Sequence, residues 1–283
     1  MPCHKIRYQG KNMTDNQAFK VALLGIPFDD NSSFERGPAL APSKIREVLN
    51  NGSLNGSTEL GINLRESKLW LDAGNVEITS SDNFIENIEQ RCDELLAQNT
   101  RLVTLGGDHS ISYPILKSYR KYFDKLSILH IDAHSDLYDS FKGNRYSNAC
   151  PFARVMEDGL CDRLVQVGIR TLNLHQTEQI KKFNVESLEM RNWPLSQPLK
   201  FDHPVYLSLD IDGIDPAFAP GVSHREPGGL TTREVINLIH HINMPLVGAD
   251  IVEYNPNKDI DNMTSQLAAK LVKEVAGKML SIS

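Results

Sequence analysis

Short apolar runs rich in β-branched residues recur along the chain, at 21–25, 68–71, 101–105, 126–131, 163–168, 185–189, 205–209 and 246–251. Their hydrophobicity is nearly continuous, without clean alternation, as expected of strands covered on both faces. Between them apolar residues fall at helical spacing, as in Phe84, Ile88, Cys92 and Leu95 and again in Val235, Leu238, Ile239 and Ile242. Ser81-Asp82 and Thr231-Thr232, the latter with Glu234 close behind, predict helix starts. Leu267, Leu271, Val275 and Met279 predict a last helix over 263–280. Eight strands alternating with helices predict an α/β protein with a mostly parallel sheet. A closed eight-stranded barrel shares this pattern, and periodicity does not separate the two. The stretch 50–58 (NNGSLNGST) resembles a linker, but composition does not change across it. It reads as a surface loop, and 1–283 as one domain.

Composition narrows the picture modestly. Of 283 residues, 36 are acidic and 30 basic, a net charge of −6. This mild acidic excess argues against sequence-independent nucleic-acid binding, which depends on a basic face. No apolar run approaches the roughly 18 residues that would span a bilayer, and the first residues do not resemble a signal peptide. Four cysteines (Cys3, Cys92, Cys150, Cys161) show no CxxC spacing. This pattern fits reduced thiols and predicts a cytoplasmic protein.

The chemistry collects where strands end. The run 101–105 leads into Gly106-Gly107-Asp108-His109-Ser110, and 126–131 into Asp132-Ala133-His134-Ser135-Asp136. The run 205–209 leads into Asp210-Ile211-Asp212-Gly213, and 246–251 passes through Asp250 to Glu253. Parallel sheets and barrels build their sites at these carboxyl ends. Clustered carboxylates repel one another, so the constellation calls for one or two divalent cations. Two imidazoles, at least four carboxylates and no thiolate make a hard donor set that suits manganese, with iron, nickel, cobalt or zinc as alternatives. Shared carboxylates suit two ions roughly 3.5–4 Å apart, the spacing of hydrolytic two-metal sites. Phosphate-loop, GxSxG and HExxH motifs are absent.

These stretches, together with Glu226-Pro-Gly-Gly-Leu230 and Asp250-Ile-Val-Glu-Tyr-Asn-Pro256, closely resemble the ureohydrolase family of arginases, agmatinases and formimidoylglutamases. The chain reads closer to the agmatinase branch. The resemblance implies a three-layer α/β/α fold with an eight-stranded sheet and two Mn2+ ions. It implies that His109, Asp132, Asp136 and Asp210 hold one ion, and that Asp132, His134, Asp210 and Asp212 hold the other. Glu253 would receive the guanidinium of a small cationic guanidino or amidino substrate, and Asp136 would carry a proton from the nucleophile to the leaving nitrogen. Products would be urea and an amine, and the assembly a homotrimer or homohexamer. Arginase, guanidino-acid hydrolase and formimidoylglutamase are alternative activities, and a non-catalytic metal-binding relative is the alternative of another class.

One position departs from the family pattern. Asn148 stands where arginases and agmatinases carry a proton-shuttling histidine, and an asparagine cannot titrate near neutral pH. His224, in a loop where small residues are usual, is a candidate replacement relay near the site mouth. Arg145 is a candidate partner for a substrate carboxylate.

Overall fold

In the computed structural model, which describes residues 7–8, 11–12, 19–195 and 197–281, eight strands form one sheet. They are β3 (Lys20–Ile26), β4 (Trp70–Asn75), β5 (Thr100–Gly106), β6 (Ser127–Ile131), β7 (Arg163–Ile169), β8 (Glu186–Glu189), β9 (Val205–Asp210) and β10 (Leu246–Val252). Before them, β1 (Arg7–Tyr8) and β2 (Lys11–Asn12) form a separate antiparallel pair. The sheet runs β4-β3-β5-β10-β9-β6-β7-β8, and every pairing in it is parallel. It is open, which removes the barrel alternative. Its two edges carry Asp72 and Asn75 on β4 and Glu186 and Glu189 on β8. Polar edges of this kind discourage pairing with a further strand. The second strand begins two residues later than its apolar pattern predicts and extends four residues past it, as its polar tail Asp72–Asn75 also pairs with β3.

Helices cover both faces. On one side α1 (Ala41–Asn50), α6 (Thr232–His240) and α7 (Met263–Leu280) pack on Val21, Leu23, Val103, Leu105, Leu129, Ile131, Leu207, Leu209 and Ile251. On the other lie α2 (Phe84–Leu96), α3 (Ser112–Tyr122), α4 (Pro151–Glu157) and α5 (Leu174–Phe183), against Ala22, Leu24, Leu102, Ile128, Leu164 and Tyr206. The core thus splits by strand parity, odd residues of β5, β6 and β9 facing one layer and even residues the other. Helix starts follow the sequence. Thr231 and Glu234 close a reciprocal capping box at α6, and α7 spans the predicted 263–280. A single 3-10 turn, Ser81–Asn83, precedes α2.

The 50–58 loop is anchored more firmly than its composition suggests. Lys273 Nζ, on α7, donates to the carbonyls of Asn55 (2.8 Å) and Ser57 (3.0 Å). Just beyond the loop, the buried Glu274 carboxylate accepts the Glu59 N–H at 3.1 Å.

Candidate metal centre

The strands carrying the acidic and histidine-bearing motifs, β5, β10, β9 and β6, are the four central ones. Their carboxyl ends therefore converge, although the motifs lie far apart in sequence. Close approach there requires glycine at Gly107, where a Cβ would sit 1.6 Å from the Phe28 carbonyl oxygen.

Asp132, Asp136, Asp210 and Asp212 meet around the Nδ1 atoms of His109 and His134, and Glu253 is bonded to the His109 backbone N–H beside them. His109 Nδ1 lies 3.3, 3.1 and 3.2 Å from carboxylate oxygens of Asp132, Asp136 and Asp210. His134 Nδ1 lies 3.3 Å from the other Asp132 oxygen and 3.1 Å from Asp212. Asp132 thus presents one oxygen to each imidazole. Backbone amides hold the remaining oxygens of Asp210 and Asp212. Asp210 Oδ1 accepts the Asp212 N–H at 2.7 Å, and Asp212 Oδ1 accepts the Ala133 N–H at 3.1 Å. Asp136 and Glu253 both adopt left-handed backbone conformations, with φ of 52° and 62°. Each costs about 1–3 kcal/mol and is characteristic of residues fixed by function.

The donor chemistry fits a cation. Ser208 Oγ donates its one hydrogen to Asp250 Oδ1 (2.7 Å), so at 2.9 Å from His109 Nε2 it must accept. In the neutral ring His109 then carries its proton on Nε2, and the Nδ1 lone pair faces three carboxylates. Nδ1 is buried and takes no hydrogen bond of acceptable geometry among the described residues. A lone pair ringed by anionic oxygens is a metal-ligand arrangement.

The electrostatics agree with that reading. Burial, joined by the charge of Asp132, raises the Asp136 carboxyl to about 6. Burial and then the charges of Asp212 and Asp132 push Asp210 well above the usual range. Burial raises Glu253 to about 8, with Asp108 adding to it. Burial disfavours protonation of His109, but contacts with Asp132, Asp136 and Asp210 overcome it and raise the ring well above its usual value. The protons held among these crowded carboxylates and on the His109 ring are what a cation would displace.

Asn148 belongs to this site. Its Oδ1 accepts the Ser33 backbone N–H at 2.9 Å, which fixes the amide, and its Nδ2 donates to Glu253 Oε1 at 2.9 Å. The same Oε1 accepts the His109 N–H at 2.9 Å. Both donors therefore hold one carboxylate oxygen, and the other accepts no hydrogen bond from a described residue.

His224 is half-buried, its ring centroid 5.7 Å from that of His134 and 5.2 Å from that of Phe34. Its loop is tied to the end of β10 by the Val222–Tyr254 bridge and by Asn255 N–H bonded to the Gly221 carbonyl at 2.8 Å. Burial, then the charge of His134, holds the His224 pKa below its ordinary value. Arg145 is not brought into the cluster. It is exposed and pairs with Glu157 at 3.0 Å, beside the buried Arg154 that binds the same carboxylate.

Sequence reasoning passed over a supporting layer. Thr104, His130, Gln166, Ser208 and Asp250 are fully buried, one on each of the five adjacent strands β5, β6, β7, β9 and β10. All point to the α2–α5 side. Asp108, inside the Gly106–Ser110 motif, supports the site as well. It accepts the Asn31 N–H (3.0 Å) and the Ser110 N–H (3.0 Å), drawing the 29–37 segment over the site. One buried polar residue inside each otherwise apolar strand was the available signal.

Comparison with known proteins agrees with the geometry. The chain is 46% identical over 276 residues to "Arginase 1, mitochondrial" of Arabidopsis thaliana, covering 92% of this chain and 81% of that one. The solved arginase of Medicago truncatula superposes with a TM-score of 0.88 at 42% identity, over 93% of this chain and 88% of that one. The agmatine ureohydrolase of Thermoplasma volcanium superposes at 0.79 with 30% identity, over 92% and 90%. These identities favour the arginase alternative over the agmatinase-like reading. They also correct the cytoplasmic expectation, since the Arabidopsis and Medicago arginases are named as mitochondrial. Four cysteines without CxxC spacing fit a reducing compartment, and the cytosol is not the only one. With residues 19–277 matching the arginase family and the His/Asp cluster at the centre of its sheet, this chain belongs to that family of hydrolases.

Proposed function

We propose that the protein hydrolyses the guanidino group of L-arginine, giving urea and ornithine. The observation that carries this reading is the half-bound Glu253 carboxylate beside a two-imidazole, four-aspartate cluster. The arginase identities supply the choice of substrate. His109, Asp132, Asp136 and Asp210 would hold one ion, and Asp132, His134, Asp210 and Asp212 the other, with Mn2+ the best match to the donors. Two such cations, when bound, supply Lewis acidity that makes a water nucleophilic near neutral pH.

The chain's own groups do the rest. Glu253 accepts the substrate guanidinium through its free oxygen, while Asn148 and the His109 N–H keep the carboxylate from turning. Asp136, raised to about 6 by burial and the charge of Asp132, is suited to take a proton and return it to the leaving nitrogen. Asn148 cannot relay that proton. His224, beside His134 at the mouth, is the titratable group that can.

The test is a product assay on Mn2+-loaded protein with arginine, agmatine, guanidinobutyrate and formiminoglutamate. Urea and ornithine from arginine are expected. Turnover of agmatine without arginine restores the agmatinase reading, and no turnover of any substrate with two metals bound sinks the enzymatic one. His224→Ala should remove the limb of the pH–rate profile that falls below neutrality. An unchanged profile takes His224 out of the mechanism.

A further inference from the structure

Beneath the carboxylate that both imidazoles share lies a buried imidazole with no assigned role. His130 sits on β6 two residues before Asp132, and the β6–β7 register sets it directly opposite Gln166. Both side chains are fully buried. The His130 ring stacks on Phe152 with centroids 4.0 Å apart.

Hydrogen-bonding capacity fixes the proton on this ring. Gln166 Nε2 lies 2.7 Å from the Ser135 carbonyl oxygen and 3.0 Å from His130 Nδ1. A carbonyl only accepts, so the atom facing it must be the amide NH2, and the other amide hydrogen points at His130 Nδ1. Turning the amide over would set Oε1 against that carbonyl. In the observed orientation Oε1 is left without a hydrogen-bond partner among the described residues, which shows how firmly the two acceptors hold the NH2 group. His130 Nδ1 must then accept, so the ring is neutral and its hydrogen is on Nε2. That Nε2 is 2.8 Å from Asp132 Oδ2, the oxygen that faces His109, while Asp132 Oδ1 accepts the His134 backbone N–H at 2.6 Å.

We propose that His130, oriented by Gln166, is a positioning residue for the shared carboxylate. Its N–H sets the rotation of Asp132 so that one oxygen faces each imidazole, and so determines how tightly the cation on the His109 side is held. Partners that orient a ligand carboxylate are typically worth about 10–100-fold in metal affinity. The effect is asymmetric, because the oxygen facing His134 keeps its own backbone donor. The inference rests on reading this cluster as a two-metal centre.

The experiment is a titration of metal-free protein with Mn2+, with free ion followed by electron paramagnetic resonance. Wild-type protein should bind two ions. His130→Phe keeps the stack on Phe152 but removes the donor, and one ion should bind about 10–100-fold more weakly while the other is retained. Gln166→Met should weaken the same ion to a lesser degree, and His130→Gln, whose amide can donate, should recover part of the affinity. Thermal melting of the metal-free His130→Phe protein at or above the wild-type temperature separates lost positioning from misfolding. If His130→Phe does not fold, Gln166→Met carries the test. Two ions bound at wild-type affinity in both variants, or equal weakening of both ions, overturns the role of His130 alone. Wild-type protein that binds no Mn2+ overturns the two-metal reading as well.

Discussion

The two faces of the sheet are equally buried and built on different terms. Towards α1, α6 and α7, β5, β6 and β9 present aliphatic side chains, Val103, Leu105, Leu129, Ile131, Val205, Leu207 and Leu209, with the polar Arg101 and Ser127 confined to the strand starts. Towards α2–α5 the same strands present the apolar Leu102, Ile128 and Tyr206 and then turn polar at Thr104, His130 and Ser208. Each of those three is two residues short of a strand's end motif. The first face draws its stability from non-directional burial. The second exchanges part of that for hydrogen bonds whose directions are transmitted to the cluster, and a buried polar group holds its place only if it is satisfied.

The largest effect should come from the site at the end of the polar face. Glu253→Gln removes the charge expected to receive the guanidinium, and kcat/KM should fall by about 2–5 kcal/mol, roughly 30- to 5,000-fold. A loss under tenfold would mean the substrate cation is received elsewhere.

A sharper test compares neighbours on β9 that face opposite layers. Leu207→Ala should cost about 2–5 kcal/mol of stability, read by denaturant unfolding, and leave Mn2+ affinity near wild type. Ser208→Ala, which frees His109 Nε2 and Asp250, should cost only about 1 kcal/mol of stability but about 10–100-fold in Mn2+ affinity. If both variants lose stability and affinity in the same proportion, the division of labour between the faces is wrong.

A pH series probes the same contrast without mutation. Asp136 and Glu253 have folded-state values raised by burial to about 6 and about 8. Their protonated forms favour the folded state, so their contribution is full below about pH 4 and is lost as pH rises through those values. Metal-free protein should therefore melt at progressively lower temperature between about pH 4 and pH 8. Saturating Mn2+ should reverse the trend, because cations replace the protons. A melting temperature in the metal-free protein that rises over that window would contradict the burial argument.

The smallest effect is expected at Arg145. Its exposed pair with Glu157 is worth about 0–1 kcal/mol, so Arg145→Ala should leave kcat/KM within about twofold. A tenfold change would return it to the substrate.

Much of this architecture could be read from sequence. Continuous apolar runs placed the eight strands, 3.6-residue spacing placed α2, α6 and α7, and charged residues after strands gave the cluster. Three things were not readable. The strand order is one, since nothing local in β10 says that it inserts between β5 and β9. The supporting residues His130, Gln166 and Ser208 are another, because a single polar residue inside an apolar run looks like noise until the pleat assigns it a face. The third is the pairing of long side chains. Arg145 lies only three residues from Asn148, yet its guanidinium turns to Glu157 while Asn148 turns to Glu253.

The position of β10 bears on the order in which the molecule can be made. Without β10, β4-β3-β5 and β9-β6-β7-β8 are two separate ribbons with no pairing between them. A nascent chain halted before Leu246 would hold both ribbons with open inner edges, lacking Glu253 and the strand that joins them. Such edges invite wrong partners during synthesis, and the exposed interval lasts until the C-terminal segment leaves the ribosome. Pulse proteolysis of stalled chains should find protection arriving in one late step, together with the competence to bind metal.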